Sequence, residues 1–241
     1  DIAVEAMGIG EGDEVILPTF TIISCIHQII RSGATPVLVD SDPITWNMDV
    51  SQIEEKITNR TKAIMVVHIY GLPVDIDPVL DLAKKYNLKI IEDAAEMIGQ
   101  TYKNMPCGSF GDISTFSFYS NKHITTGEGG MVVTNDVQLA EKCRSLRNLC
   151  FQKKQRFVHE ELGWNYRMTN LQAALGLAQL EQLEVFVNRK RKMGGLYNAL
   201  LGDIAGIHLP LIKTDYAENI YWVYGIVIDK DLSRYAKKVM K

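Results

Sequence analysis

One lysine lies in a segment whose residue types suit covalent chemistry. Lys122 follows the strand-like run Ser114-Thr115-Phe116-Ser117-Phe118 and precedes the turn Gly127-Glu128-Gly129-Gly130. Lysine forms imines with aldehydes when its pKa is lowered and water is excluded. Glycines allow close backbone approach, and hydroxyls and backbone N–H groups at a strand end suit an anion such as a phosphate. These residues leave three interpretations open: a nucleophile, a countercharge for phosphate, or a purely structural turn.

A carboxylate follows an earlier apolar run. Asp93 comes directly after Ile90-Ile91-Glu92, and Glu96 follows three residues later. A carboxylate that pairs with a protonated pyridine nitrogen keeps pyridoxal phosphate (PLP) an electron sink, as the cofactor requires beside its lysine. The plainer interpretation of Asp93 is the N-cap of a helix, with Glu96 completing a capping box.

Short β-branched runs alternate with helical patterns and predict the elements that position these side chains. Strands are predicted at residues 14–17, 36–39, 63–68, 88–92, 114–118 and 131–134. Helix starts are predicted at Ser51 with Glu54, Asp77 with Pro78, Asn135 with Gln138, and Thr169 with Gln172. This alternation predicts an α/β fold with a mostly parallel sheet, whose ligands collect beyond the carboxyl ends of the strands.

The last third of the chain has a different pattern. The helix that starts at Thr169 is predicted to continue through Leu180 and Leu183 to the basic run Asn188-Arg189-Lys190-Arg191-Lys192, interpreted as a solvated face. After Gly206 the pattern changes, which predicts a large domain at residues 1–205 and the beginning of a smaller one at 206–241. Residues 1–8 and 235–241 resemble interrupted helices, so truncation at both ends is expected.

Composition indicates a soluble globular enzyme. The 241 residues are 46% hydrophobic and 23% charged with a net charge of −3, which argues against nucleic acid or an anionic membrane as the main partner. No signal-peptide pattern or apolar run of about 20 residues is present. The four cysteines are scattered, so neither a metal site nor a disulfide framework is expected, and the cytoplasm is the simplest compartment.

Several ordered motifs resemble the DegT-type family of fold-type-I, PLP-dependent aminotransferases, which act on nucleotide-linked keto-sugars. The core of the resemblance is Asp93-x-x-Glu96, then Ser117-x-x-x-x-Lys122, then the glycine-rich turn. Further matches are Gly12-Asp13-Glu14-Val15, Pro18-Thr19-Phe20-Thr21, Gly33-Ala34-Thr35-Pro36, His68-Ile69-Tyr70-Gly71 and Gly163-Trp164-Asn165-Tyr166-Arg167-Met168. The resemblance implies the PLP-binding large domain of this fold, followed by the start of its small C-terminal domain.

The resemblance also implies roles for individual residues. Lys122 would hold PLP as a Schiff base and move the substrate proton, Asp93 would pair with the pyridine nitrogen, and Ser117 would bind the cofactor phosphate. Glu96 would lie near the cofactor ring. Asn165 would reach the phosphate in the neighbouring subunit, so the active unit would be a homodimer with shared sites.

The substrates implied are an amino-acid donor, with glutamate expected, and a sugar nucleotide. Ser117-Phe118-Tyr119 and Ile124-Thr125-Thr126-Gly127 resemble the perosamine-synthase branch, which aminates C4 of a GDP-linked 4-keto-6-deoxy sugar. Two features depart from the family pattern. Ile22 occupies the position of a ring-stacking aromatic residue, which gives up about 1 kcal/mol. The family's upstream Gly-Thr phosphate turn has no match.

Two alternatives remain open. Sugar 3-dehydratases of the same fold carry histidine at the lysine position, whereas here Lys122 precedes His123. A truncated, non-catalytic relative would fit the missing phosphate turn. A Rossmann dehydrogenase is excluded because no G-x-G-x-x-G follows the first strand.

Overall fold

A six-stranded sheet forms the centre of the protein, as seen in a computed structural model that describes residues 1–152 and 154–231. Its strands are β1 (Glu14–Pro18), β2 (Thr35–Val39), β3 (Thr61–Val67), β4 (Lys89–Asp93), β7 (Ile113–Ser117) and β8 (Gly130–Val133). The spatial order is β2-β1-β3-β4-β7-β8, and only β8 runs antiparallel to its neighbour. The predicted mostly parallel, mixed sheet is confirmed.

Helices and short elements complete the fold. They are α1 (Ile2–Ala6), α2 (Ile23–Arg31), a 3-10 turn (Val50–Gln52), α3 (Ile53–Lys56), α4 (Ile76–Tyr86), the pair β5 (Thr101–Tyr102) and β6 (Met105–Pro106), α5 (Val137–Leu146), α6 (Asn170–Leu180), α7 (Leu183–Leu201), and the pair β9 (Ile207–His208) and β10 (Val227–Ile228). Within the described residues, no helix combines the length and apolar character needed to cross a membrane.

Both faces of the sheet are buried, which explains why its central strands are apolar at successive positions. On β1, Leu17 belongs to one core cluster and Ile16 to the other, and on β3 the same division separates Met65 from Ile64. Successive side chains of a strand point to opposite faces, so each face has its own core. Each fully buried aliphatic side chain contributes about 1.5–3 kcal/mol. All four cysteines are buried and free, as small hydrophobic residues would be.

Three predicted helix starts are wrong by one or two residues, because an aspartate stands at the actual cap. Asp49 accepts a hydrogen bond from the Ser51 N–H, and Ser51 itself lies inside the 3-10 turn. Asp75, rather than Asp77, precedes α4. Asp136, rather than Asn135, caps α5 by accepting from the N–H groups of Gln138 and Leu139. Asp49 and Asp136 accept backbone N–H groups as N-cap residues do, whereas Asp75 makes no side-chain hydrogen bond to its helix.

The Thr169 capping box is confirmed, but its helix is shorter than predicted. The Thr169 side chain accepts from the Gln172 N–H, and the Gln172 side chain accepts from the Thr169 N–H. The helix ends at Leu180, and α7 begins at Leu183 after a non-helical Gln182. The predicted two-domain division stays a prediction, and the helical pattern at 235–241 lies outside the described residues.

The cap of α5 gives a matched test of the corrected helix start. Asp136→Ala should lower the free energy of unfolding by about 1 kcal/mol, because two backbone N–H groups lose their acceptor. Asn135→Ala, one residue earlier, should change it by less than about half of that. Urea unfolding followed by circular dichroism measures both. Equal losses would show that Asp136 is not the cap.

Candidate active site

The residues predicted to do chemistry gather at the carboxyl edge of the sheet. Asp93 is the last residue of β4, Ser117 is the last residue of β7, and His68 directly follows β3. The β4–β7 register places Asp93 beside Thr115. Lys122 follows β7 by one short loop, so the parallel arrangement alone brings the lysine and the carboxylate to one end of the sheet.

Glu92, which sequence analysis did not single out, connects the segments that form this edge of the sheet through its hydrogen bonds. It is fully buried, and its carboxylate accepts hydrogen bonds from His68 Nε2, Ser114 Oγ and the N–H groups of Gly108, Phe110 and Gly111. His68 Nδ1 accepts from the Val74 N–H at 3.0 Å, so the ring hydrogen lies on Nε2 and is donated to Glu92. Burial favours the neutral acid, but His68 and the backbone donors outweigh it and lower the pKa of Glu92 to about 2.

This network fixes the direction of the next side chain. Because neighbouring residues of a strand point to opposite faces, anchoring Glu92 on one face turns Asp93 to the other. The Asp93 Oδ1 atom accepts from the Ala95 N–H at 3.0 Å and lies 3.5 Å from Thr115 Oγ1. The Cys25 thiol donates to Oδ2 at 3.2 Å. Asp93 is therefore held in one orientation by short contacts.

The helix-cap interpretation of Asp93 and Glu96 is wrong. A turn rather than a helix follows β4. Glu96 instead reaches across to the segment that follows β3, where its Oε2 accepts from the Tyr70 N–H at 2.6 Å. Tyr70 holds this position with a left-handed backbone, φ 57°, and its ring packs edge-on against Phe20 at 5.7 Å. A non-glycine residue in this conformation stores strain that its surroundings must offset.

Glu96 is a half-buried acid next to the lysine. Its Oε1 lies 3.9 Å from Lys122 Nζ, and the two side chains are 14% and 10% exposed. Burial raises the pKa of Glu96 to about 7, against the Tyr70 N–H and Lys122, which lower it, while nearby Asp93 raises it further. A carboxyl group with a pKa near neutrality can hold or release a proton during turnover.

Lys122 has the environment that an amine nucleophile needs. Burial lowers its pKa from the ordinary value, although the negative charges of Glu96 and Asp93 act in the opposite direction. A lowered pKa increases the fraction of neutral amine, which is the form that attacks a carbonyl. The Lys122 N–H donates to the Tyr119 carbonyl at 3.0 Å, which fixes the backbone of the loop.

Trp222 covers the lysine and was missed by sequence analysis. Lys122 Nζ lies 3.6 Å from the centroid of its ring, and the indole N–H donates to the Asn121 carbonyl at 3.0 Å. The segment is secured to the sheet edge by the Ile220 N–H, which donates to the Gly71 carbonyl at 3.1 Å. The contact joins residues one hundred positions apart along the chain, and no local pattern reveals such a pairing.

The glycine-rich turn fixes the loop and leaves Ser117 available. Ser117 Oγ accepts from the Tyr119 N–H at 3.2 Å, so its own hydrogen remains free to donate to an anion. The Phe118 carbonyl accepts from the Thr126 N–H and from Thr125 Oγ1. Gly127 has a φ of 80°, which favours glycine. The turn is therefore structural and at the same time presents a hydroxyl donor beside Lys122.

Asn165 is exposed and lies apart from the other predicted residues. Its backbone pairs with Asn148 after α5, and no contact among the described residues joins it to Asp93, Ser117 or Lys122. Its predicted role in a neighbouring subunit stays a prediction. Ile22 is 61% exposed immediately before α2, so this position is open at the surface.

With this geometry in place, comparison with known proteins identifies the family. The model of the DegT/DnrJ/EryC1/StrS aminotransferase family matches residues 1–241. The chain belongs to this family. GDP-perosamine synthase of Escherichia coli O157:H7 is 49% identical over 226 residues, which cover 94% of this chain and 61% of that protein. GDP-perosamine synthase of Caulobacter vibrioides is 46% identical over 241 residues, covering 100% of this chain and 65% of the relative.

Solved structures of family members share the fold. DesV of S. venezuelae, solved with a ketimine intermediate, superposes with a TM-score of 0.89 at 35% identity, covering 99% of this chain and 64% of DesV. An aminotransferase from Brucella abortus gives a TM-score of 0.89 at 31% identity, over 99% of this chain and 65% of that one. The chain spans less than two thirds of the lengths of these relatives.

The Glu96–Lys122 contact predicts how the reactivity of the lysine depends on pH. Glu96→Gln removes a negative charge 3.9 Å from the amine, so the pKa of Lys122 should fall further. In the cofactor-free protein, labelling of Lys122 by acetic anhydride, quantified by peptide mass spectrometry across pH, should show its midpoint at lower pH. Glu128→Gln, an exposed position in the neighbouring turn, should leave the midpoint unchanged. A midpoint that rises in Glu96→Gln would contradict this electrostatic account.

Proposed function

We propose that this chain forms the cofactor-binding part of an enzyme that transfers an amino group from an amino acid to a nucleotide-linked keto-sugar, using PLP at Lys122. The observation that carries the proposal is the amine of Lys122, shielded by Trp222 and facing the carboxylates of Glu96 and Asp93. An aminotransferase needs a water-shielded amine of this kind. Membership in an aminotransferase family supports it.

The residues present fit PLP. Lys122 would provide the amine for its aldehyde, and Ser117, whose Oγ accepts from the Tyr119 N–H, would donate its hydroxyl hydrogen to the cofactor's phosphate. Asp93 Oδ1 is anchored by a backbone N–H, while Oδ2 has only a weak thiol donor, so Oδ2 suits a pyridinium N–H. When bound, the cofactor supplies an electron sink that stabilises negative charge next to the transferred nitrogen.

The protein's own groups account for the proton movements. The Lys122 amine would accept a proton from the substrate carbon and, as its ammonium form, would donate that proton again later in the transfer. Glu96, with a pKa near 7, holds a proton beside it at 3.9 Å. Trp222 covers the amine and excludes water, which would otherwise compete for the reacting carbonyl. Asp93 would hold a proton on the ring nitrogen of the bound cofactor.

The acceptor is proposed to be a GDP-linked 4-keto-6-deoxy sugar, with glutamate as the donor. Two relatives that are 49% and 46% identical to this chain carry the name GDP-perosamine synthase. Another relative, 44% identical over 197 residues, is a UDP-N-acetyl-3-dehydro-alpha-D-glucosamine 3-aminotransferase of Acidithiobacillus ferrooxidans. The names of these relatives thus refer to sugars linked to two different nucleotides, GDP and UDP.

The active unit is proposed to be a homodimer in which Asn165 serves the partner's phosphate site. Its side chain is exposed in the described chain, as a residue that acts on a partner would be. Helix α6 also supports association of two copies of the chain. None of its residues is buried, and it exposes four leucines: Leu171, Leu175, Leu177 and Leu180.

A 3-dehydratase and a non-catalytic relative fit less well. Dehydratases need histidine where this chain has Lys122, and the adjacent His123 is buried with its Nε2 on the Ile220 carbonyl at 3.1 Å. It is therefore already engaged as a structural residue. A non-catalytic chain would gain nothing from a largely buried amine whose pKa burial lowers.

A substrate panel tests the proposal. The full-length protein, loaded with PLP and given ¹⁵N-glutamate, should move the label to a GDP-linked 4-keto-6-deoxy sugar and less efficiently to UDP- and dTDP-linked analogues. Mass spectrometry of the sugar product detects the transfer. Label exchange only between amino acids and keto acids, with every sugar nucleotide unchanged, would refute the proposed acceptor class.

Substitution of Asp93 is predicted to slow catalysis without preventing attachment of the cofactor to Lys122. Asp93→Asn should keep covalent attachment of PLP but lower turnover by about two to three orders of magnitude, equivalent to about 3–4 kcal/mol, because an amide cannot hold the ring nitrogen protonated. Asp81→Asn, an exposed position on α4, serves as the control and should be as active as wild type. Stopped-flow rates of the half-reaction with glutamate give the comparison. Near wild-type rates in Asp93→Asn would remove Asp93 from the site.

A further inference from the structure

The basic run of α7 is not a uniform solvated face. Arg189 and Lys190 line a cavity together with Lys122, whereas Lys192 is exposed to solvent. Arg191 turns elsewhere, with its Nε 3.6 Å from a carboxylate oxygen of Glu218. The helix therefore directs two of its cations toward the reactive lysine and the others away from it.

The cavity is basic and contains no acid. Its volume is about 440 Å³, within the range of small-molecule sites. It is lined by Ser120, Lys122, His123, Thr125, Gln179, Phe186, Arg189, Lys190 and Met193. Positive charge without a lining carboxylate attracts an anionic ligand and raises its local concentration.

Most of its polar side chains are committed to the fold, which isolates the groups left for a ligand. Gln179 uses its amide oxygen and nitrogen on the N–H and carbonyl of Thr125, both at 3.0 Å. His123 is engaged with the Ile220 carbonyl at 3.1 Å, and burial lowers its pKa, so it adds no charge near neutral pH.

Two cations remain available. Lys190 Nζ donates to the Trp222 carbonyl at 3.1 Å, a neutral partner that leaves the ammonium charge uncompensated. Arg189 is exposed, and no carboxylate of the described residues forms an ion pair with it. A guanidinium binds phosphate oxygens through two parallel N–H groups, so Arg189 is the stronger phosphate ligand of the two.

We propose that this cavity binds the diphosphate of the nucleotide-linked sugar, with Arg189 as the principal ligand. The inference rests on the proposed function, because it assumes that the acceptor is a sugar nucleotide. Lys122 lines the same cavity, so a sugar joined to a diphosphate held by Arg189 extends toward the reactive amine. Ser120 adds a hydroxyl for the sugar or its phosphates.

A second cleft near the site suits a diphosphate poorly. Phe20, Trp46 and Tyr70 form its aromatic wall, and Asp42 lies at its rim in a cavity of about 310 Å³. A carboxylate at the rim repels phosphate, whereas Arg189 attracts it. The charges of the two clefts therefore assign the diphosphate to the α7 cavity.

The test compares Arg189→Gln with Lys192→Gln in the full-length, PLP-loaded protein. Both variants remove one positive charge from α7, but only Arg189 lines the cavity. Isothermal titration with GDP and with inorganic pyrophosphate should show binding weakened about tenfold or more in Arg189→Gln and less than about twofold in Lys192→Gln. The difference should shrink at 0.5 M salt, because screening weakens the lost charge interaction.

The amino donor also carries anionic groups, its carboxylates, which Arg189 could bind instead of a diphosphate. A separate measurement distinguishes these two ligands. Absorbance titration with glutamate in the first half-reaction should give the same apparent Kd in Arg189→Gln and wild type. A rise in the Kd for glutamate with unchanged GDP binding would overturn the proposal in favour of a donor carboxylate site. Equal weakening of GDP binding in both variants would overturn it in favour of a general charge effect. An enzyme that aminates no sugar nucleotide fails the proposed function instead, whatever its affinity for pyrophosphate.

Discussion

The burial of a single amine imposes the main constraint on this site. The Lys122 side chain is 10% exposed, with Trp222 over its amine, and the negative charges of Glu96 and Asp93 both act on it. Burial and charge act in opposite directions on its pKa, and burial prevails. The neutral, reactive fraction of this amine is increased only while its burial is maintained, so the surrounding elements must hold it in place. The fixed loop, the strained Tyr70 and the covering segment all serve that requirement.

That arrangement rests on a second, fully buried network around Glu92. Three backbone N–H groups, a serine hydroxyl and His68 meet on one carboxylate. A buried charge is tolerated only when it is hydrogen-bonded on all sides, and here the donors come from the strand ends that carry the site. Glu92 thereby couples the positions of β3, β4 and the segment before β7. Its neighbour Asp93 takes its direction from this anchoring.

The sequence predicted the sheet and the lysine well, because both depend on local patterns. Runs of β-branched residues mark strands wherever a sheet is buried on both faces, and each of the six predicted strands lies within two residues of its observed bounds. Helix starts were less certain, since Asp49 and Asp136 displaced the predicted caps by one or two residues. Competition between adjacent polar side chains for the same backbone donors is decided by geometry that the sequence does not display.

Contacts between distant segments were beyond sequence reasoning. Trp222 meets Lys122, and Arg189 lines the same cavity, although both lie far along the chain in stretches without a recognisable motif. The different roles of Glu92 and Glu96 became apparent only from the structure. Its many hydrogen-bond donors leave Glu92 with a pKa of about 2 despite its burial, whereas the pKa of Glu96 is raised to about 7. The two glutamates differ because the donors around Glu92 outweigh the effect of burial on its pKa, whereas burial outweighs the Tyr70 N–H and the charge of Lys122 at Glu96.

Identification of the lysine that binds the cofactor tests the central claim most directly. The full-length protein is incubated with PLP, reduced with borohydride, digested and mapped by mass spectrometry, with Lys122→Ala treated in parallel. A pyridoxyl label is expected on the Lys122 peptide of the wild-type protein and none at this site in the variant. A stoichiometric label on Lys190 or any other lysine, with the Lys122 peptide unmodified, would contradict that claim.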